Sequence, residues 1–210
     1  VTEAGVAVIL LVLTHLELLR VPDMRMEQVF NFLQTLDYKG VQCHLKEFHS
    51  REILDEFQLS VLVSLCPNLE YIQVSMIGSS EMDLARLEQL ATLQHLKRAK
   101  LADVNCDALV WFLQQVGHRM NHLFLYTYHT TYAQQKLTIT RNHLQCLAKY
   151  CPSLESLCID GYLLTEDFSY RHWAPKDVHY FQNLQSLQLT SVKLSEDDLK
   201  IFLSKSYKLK

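Results

Sequence analysis

A short pattern of apolar and polar residues recurs along the chain and predicts a strand at each copy. Apolar residues occupy the first, fourth and sixth positions of the pattern, as in residues 69–74, LEYIQV. The fourth and sixth residues lie two apart, so their side chains point to the same side of an extended strand, while the residues between them face the other way. Copies begin at Leu13, Leu45, Leu69, Leu96, Met120, Leu154 and Leu184. The copy at Leu45 is weaker because its sixth residue is Ser50.

The segments that follow these copies change to the three-to-four spacing that predicts a helix. Residues 108–113, ALVWFL, form one such run, and residues 80–83 and 195–198 look like capping boxes at the starts of two others. Successive copies begin 32, 24, 27, 24, 34 and 30 residues apart, close to the length of one strand plus one helix. One such unit cannot bury both of its apolar faces, whereas stacked units can.

The pattern therefore predicts an α/β leucine-rich-repeat solenoid over residues 1–210. We expect a curved right-handed stack of about seven strand-helix units, with a parallel sheet on its concave face and a single array that is part of a longer protein. The residues that we expect to be buried are Leu69, Ile72, Val74, Leu96, Leu101, Leu123, Leu125, Leu154, Leu157, Leu184 and Leu187.

Two copies carry a distinctive prefix, and the chain there resembles a known family. Residues 66–72, CPNLEYI, and residues 151–157, CPSLESL, are similar to the cysteine-containing repeats of F-box/leucine-rich-repeat proteins, as is the stretch 184–205. The spacing is less even than in that family, the Cys or Asn after the strand is often absent, and no segment matches an F-box. The resemblance implies a substrate receptor of a ubiquitin ligase, with a Skp1-like adaptor engaged through a segment outside these residues.

Charge and cysteine content narrow the class of partner and compartment. The 20 basic and 23 acidic residues are spread without large blocks, which disfavours nucleic acid and membrane surfaces as partners. Six cysteines without a CxxC pair indicate reduced, mostly buried thiols in a cytoplasmic or nuclear protein. The apolar run of residues 5–13 is shorter than the roughly 20 residues of a membrane span. It also has no basic residues before it, which is not the pattern of a signal peptide.

Two clusters have the residue types of a metal site but are better explained by packing. His118 and His122 have i, i+4 spacing, yet Gly117 is expected to end the helix that such a pair needs. His143 lies near three cysteines, of which Cys151 occupies the repeat position of a packed thiol. The cysteines of this second cluster are Cys146, Cys151 and Cys158. No nucleophile elbow, phosphate loop or HExxH motif occurs, so we expect no enzyme activity and no catalytic, cofactor or metal site.

The residues between the apolar positions form the candidate binding surface. They face the concave side if the apolar positions face the core. The predicted protein-binding centre is aromatic and basic and consists of Tyr71, Gln73, Arg98, Lys100, His122, Phe124 and Tyr126. One flank holds His15, Glu17, Glu47 and His49, and the other holds Ser156, Cys158, Asp160, Ser186 and Gln188. Exposed aromatic and Arg residues are typical of binding hot spots, and a solvated sheet face with chance aromatics is the alternative.

Three functions remain open at this point. The first is a protein-interaction scaffold, most specifically the substrate-recognition part of an F-box-type ubiquitin ligase. The second is a leucine-rich-repeat adaptor or inhibitor unrelated to ubiquitin. The third is an enzyme with a site in the long connection of residues 161–181, which could equally be a plug that covers the repeats. The aromatic residues that this connection contains are Tyr162, Phe168, Tyr170, Trp173 and Tyr180.

Overall fold

The centre of the fold is a parallel sheet whose strands follow one another in chain order. The computed structural model describes residues 2–20, 24–36, 38, 40–128, 137–165, 181–190, 206, 208 and 209. The strands within these residues are β1 (Leu18–Arg20), β2 (Glu47–Ile53), β3 (Tyr71–Ser75), β4 (Arg98–Ala102), β5 (His122–Tyr126), β6 (Thr138–Thr140), β7 (Ser156–Asp160), β8 (Leu163–Thr165) and β9 (Ser186–Thr190). Seven strands form one sheet in the order β1-β2-β3-β4-β5-β7-β9, and β6 pairs with β8 in a small second sheet.

Helices alternate with the strands of the main sheet. They are α1 (Glu3–Val12), α2 (Met26–Thr35), α3 (Glu56–Leu65), α4 (Ser80–Ala91), α5 (Cys106–Val116) and α6 (Arg141–Tyr150), with a short 3₁₀ helix at Gly117–Arg119. Each described helix packs on the next one along the chain. The protein is therefore an α/β protein in which successive strand-helix units lie side by side. No helix in the described part of the chain is long and apolar enough to cross a membrane.

Polar side chains at the helix starts fix where each helix begins. Asp55 accepts from the Gln58 N–H, and the Gln58 side chain accepts from the Asp55 N–H, which is a complete capping box for α3. Asn105 accepts from two N–H groups in the first turn of α5. For α4 the cap is Ser79, whose hydroxyl accepts from the Met82 N–H, so the cap predicted at Ser80 lies one residue earlier. The predicted cap in residues 195–198 lies outside the described residues.

The predicted core is confirmed at ten of its eleven positions. Each of those ten side chains is almost completely buried, and the strands that carry them are parallel, as predicted. Leu187 is the exception, because its side chain on β9 is only partly buried. At the start of the chain the predicted register was wrong. Leu18 pairs with Glu47, so Leu16 takes the first position of the pattern and Leu13 is 49% exposed.

The cysteines of the CP prefixes end helices. Cys66 caps α3 and Cys151 caps α6, each with its N–H donated to a carbonyl four residues earlier and its side chain buried. All six cysteines are free and four are buried, which confirms the prediction of mostly buried thiols. Gly117 ends α5, as predicted, and lies against the carboxyl-terminal end of α6. A Cβ at Gly117 would lie 2.6 Å from the Tyr150 carbonyl oxygen and 3.0 Å from Cys151 Sγ.

Buried polar groups tie neighbouring units together near the ends of the strands. Asp83 of α4 accepts from the Asn105 N–H at 2.8 Å, and Arg86 donates to the Ile77 carbonyl at 3.1 Å. The two charged side chains are almost completely buried and their nearest atoms are 3.5 Å apart. The Tyr162 hydroxyl, also buried, donates to the Val104 carbonyl at 3.1 Å and so bridges two units. These bonds satisfy polar atoms that would be costly to leave unpaired in the core.

Leu157→Ala should destabilise the protein more than Leu187→Ala. Leu157 is fully buried, and a fully buried Leu→Ala change costs about 2–5 kcal/mol, whereas the partly buried Leu187 loses less contact area. Urea denaturation followed by circular dichroism measures the free energy of unfolding of both variants. Equal losses, or a larger loss for Leu187→Ala, would contradict the assigned burial.

The buried carboxyl of Asp83 should make stability depend on pH. Burial raises the pKa of Asp83 from 3.8 to about 6, against smaller opposing effects of the Asn105 N–H and Arg86. The unfolded chain therefore releases this proton at lower pH than the folded one, so the Asp83 contribution to stability falls as pH rises from about 4 to about 6.

Asp83→Asn tests this contribution because it keeps the shape and the acceptor but cannot titrate. Between pH 4 and pH 7 the variant should gain about 2 kcal/mol of stability relative to the unsubstituted protein, since one pKa unit corresponds to about 1.36 kcal/mol. Urea denaturation of both proteins at several pH values gives the difference. Parallel stability profiles across this range would contradict the assigned pKa of Asp83.

Candidate binding surface

The sheet register brings the predicted surface residues together on adjacent strands. Tyr71 pairs with Arg98 and Arg98 with His122, while Lys100 lies between Gln73 and Phe124. Neighbouring strands are about 4.8 Å apart, so residues as distant in sequence as Glu47 and Tyr126, 79 positions apart, form one continuous surface. We call this surface the central face, and it consists of Glu47, His49, Tyr71, Gln73, Arg98, Lys100, His122, Phe124 and Tyr126.

An ion pair crosses one half of the central face above Tyr71. Arg98 Nη2 donates to Glu47 Oε1 at 2.7 Å, and the guanidinium carbon lies 5.3 Å from the centroid of the Tyr71 ring. The His49 ring packs on Tyr71 at 4.5 Å between centroids and its Nε2 lies 3.3 Å from Glu47 Oε2. Tyr71 is only 9% exposed as a result. It was predicted to be an exposed contact residue, and it instead supports the side chains that cover it.

The electrostatics of this half follow from the same contacts. The hydrogen bond from Arg98 is the largest cause of a lowered pKa for Glu47, so this carboxyl stays ionised. Burial is the largest cause of a raised pKa for Tyr71, which keeps its hydroxyl protonated. The charge of Arg98 is therefore compensated by the Glu47 carboxylate of the same protein.

The other half of the central face is aromatic with one cation. Lys100 Nζ lies 4.9 Å from the centroid of the Tyr126 ring, and Phe124 beside it is partly exposed. The Tyr126 ring meets Tyr128 edge-on at 5.1 Å, and their hydroxyl oxygens are 3.1 Å apart. Burial is the largest cause of a raised pKa for Tyr126. Tyr128 was not among the predicted surface residues because it lies two residues beyond β5, outside the repeated pattern.

Apart from the central face, a polar groove lies at the amino-terminal ends of strands β1 to β4. Its volume is about 640 Å³ and its walls are formed by His15, Glu17, His44, Lys46, Asn68, Glu70 and His95. Lys46 Nζ is 2.6 Å from Glu17 Oε1, and the rings of His15 and His44 are parallel with centroids 5.8 Å apart. His15 and Glu17 therefore precede β1 and line this groove. Their predicted place on the flank of the concave sheet face was wrong for the same reason as the register of the first copy.

The two clusters considered as metal sites are taken up by local structure. His118 lies in the 3₁₀ turn and His122 in β5, so the pair does not share a helix. Thr140 caps α6 and His143 completes the capping box, with Nδ1 accepting from the Thr140 N–H at 3.1 Å and Nε2 3.0 Å from Asp107 Oδ1. Over the described residues, no group of three or more His, Cys, Asp or Glu side chains could hold a metal ion.

The long aromatic connection is described only at its ends. Tyr162 and Phe181 are buried, and residues 163–165 form β8. Phe168, Tyr170, Trp173 and Tyr180 lie outside the described residues. The two hypotheses for this connection, a functional site and a plug that covers the repeats, both stay predictions.

Comparison with known proteins leaves the fold as the basis for classification. No protein-family model matches the chain. A search of curated proteins also finds no match. The class that the structure defines is an α/β protein with a seven-stranded parallel sheet and alternating strand-helix units.

The ion pair of the central face should add modestly to stability in a salt-dependent way. The Glu47 and Arg98 side chains are 29% and 37% exposed, and partly exposed pairs contribute about 0.2–1 kcal/mol. A double-mutant cycle with Glu47→Gln and Arg98→Met, measured by urea denaturation, should give a coupling energy in that range. The coupling should shrink when salt is raised from 0.05 to 0.5 M, values chosen to shorten the screening length from about 14 to about 4 Å. A coupling energy of zero at low salt would contradict a stabilising contribution of the Glu47–Arg98 ion pair.

Proposed function

We propose that this protein is a leucine-rich-repeat solenoid whose concave sheet face binds another protein. The seven parallel strands in chain order support this architecture, because such a topology arises when each unit contacts only its neighbours. The repeat lengths and the recurrent buried first, fourth and sixth positions support it as well.

The observation that carries the binding role is the composition of the central face. Phe124, Tyr126 and Lys100 lie side by side on β4 and β5, partly exposed, with Lys100 Nζ over the Tyr126 ring. Aromatic residues supply most of the energy at the centre of protein interfaces, and rigid ones lose little entropy on binding. We propose binding rather than catalysis, with no cofactor or metal, and another protein rather than nucleic acid or a membrane as partner.

The most specific form of the proposal is substrate recognition in an F-box-type ubiquitin ligase of the cytoplasm or nucleus. Cys66 and Cys151 each end a helix and are followed by Pro and a buried Leu, an arrangement that fits the resemblance to the cysteine-containing repeats. A Skp1-like adaptor would then bind a segment outside these residues. An adaptor or inhibitor unrelated to ubiquitin would use the same face.

Phe124→Ala should weaken partner binding by at least about 1–2 kcal/mol, as expected for an aromatic residue at the centre of an interface. The full-length protein with and without the substitution is used for affinity purification, and bound proteins are quantified by mass spectrometry. Phe57→Ala is the matched control, because Phe57 is a 46% exposed Phe on α3 rather than on the sheet. Denaturation curves show whether each variant stays folded.

The two variants separate the possible outcomes. A partner lost with Phe124→Ala and retained with Phe57→Ala supports binding at the central face. A partner lost only with Phe57→Ala, or retained by both variants, contradicts it. A Skp1-like adaptor and a cullin recovered with both variants support the ligase form, whereas their absence from every sample contradicts that form alone.

A further inference from the structure

The two cations of the central face differ in what surrounds them. Arg98 has the Glu47 carboxylate at 2.7 Å. Across the described residues no carboxylate lies within 4 Å of Lys100 Nζ. Asp160 pairs with Tyr126 on the neighbouring strand but makes no ion pair with Lys100. Within the part of the chain that the structure describes, Lys100 is thus the cation of this face that has no acidic partner.

Apolar side chains lie beside this cation on the side where Phe124 and Tyr126 are partly exposed. Nζ lies over the Tyr126 ring at 4.9 Å, Phe124 is its direct neighbour on β5, and Cys158 follows Phe124 on β7. A ring beneath an ammonium removes water from one side without neutralising the charge. An anion that approaches from the open side can therefore form a charged hydrogen bond with Lys100 Nζ while an apolar group beside it packs on the aromatic side chains.

We propose that Lys100 binds a carboxylate of the partner. This carboxylate belongs to an Asp or Glu side chain that is followed closely by a large apolar residue. The carboxylate binds Lys100 Nζ and the apolar residue packs on Phe124 and the edge of Tyr126. The occupant is a segment of polypeptide with this acidic and apolar pairing. This inference rests on the proposed function, because it names the chemistry of the partner at the same face.

A random 16-residue peptide library displayed on phage is the probe, selected on the full-length protein. We expect the enriched peptides to carry Asp or Glu next to an aromatic or aliphatic residue. A selected peptide is then synthesised and its affinity is measured by fluorescence polarisation. Lys100→Met should weaken it about tenfold or more, because it removes the ammonium and keeps an unbranched apolar side chain of similar length.

Lys149→Met is the matched control for that substitution. Lys149 Nζ lies 5.1 Å from the Tyr150 ring on α6, so the control removes the same kind of contact away from the sheet. It should leave the affinity unchanged. Replacing the acid of the peptide with its amide should cost about as much as Lys100→Met and should add no further loss in the Lys100→Met protein.

The outcomes distinguish this inference from the proposed function. Peptides without acidic enrichment that lose affinity with Phe124→Ala but not with Lys100→Met overturn the carboxylate role and leave the face as a binding site. Peptides unaffected by either substitution count against both proposals. A library that yields only peptides dependent on Lys149, or no enriched peptide, overturns the inference for a carboxylate-bearing segment.

Discussion

The structure depends on the fact that no strand-helix unit can bury its own apolar residues. Leu123 and Leu125 of β5 are fully buried only because units on both sides of β5 supply the remaining contacts. Backbone hydrogen bonds of the parallel sheet set the spacing of the units, and the apolar positions then set which side of each strand faces the helices. A unit shifted by one residue would turn its apolar residues outward, so burial fixes the register of the whole sheet.

The same register determines what the opposite side of the sheet presents. Glu47 and Arg98 belong to strands that are not neighbours, with Tyr71 on the strand between them. The ion pair closes over the ring, so the charges of Glu47 and Arg98 compensate each other in one half of the central face. Lys100 and Phe124 lie in the other half, where the available charge and apolar area are found. Rigid support beside an available contact residue reduces the entropy lost on binding.

The sequence alone was sufficient for the parallel sheet and for most of the core, because each unit repeats the same apolar spacing. It failed at the first copy, where the apolar residues around Leu13 and Leu16 fit the pattern in two frames three residues apart. The end of α1 supplies apolar residues at a spacing that a strand would also show, so periodicity could not choose between the frames.

Surface positions were also predictable from the sequence, but their contacts were not. The alternation of the strand places Tyr71 and Arg98 on the sheet face. It carries no information on which way a long side chain turns. Arg98 reaches a carboxylate 51 residues away and buries Tyr71 on the way, and this choice depends on rotamers set by three strands at once. The exposure predicted for Tyr71 therefore required the structure for its correction.

The contact at Gly117 has a consequence for how this sequence can diverge. Even the smallest side chain there would collide with the backbone of Tyr150, an atom that cannot turn aside as a flexible side chain can. Loops between units can gain or lose residues, as the uneven spacing of the copies already indicates. Position 117 cannot vary unless the whole following unit moves with it. Among descendants of a common ancestral gene, this glycine should persist while the lengths of the surrounding loops drift.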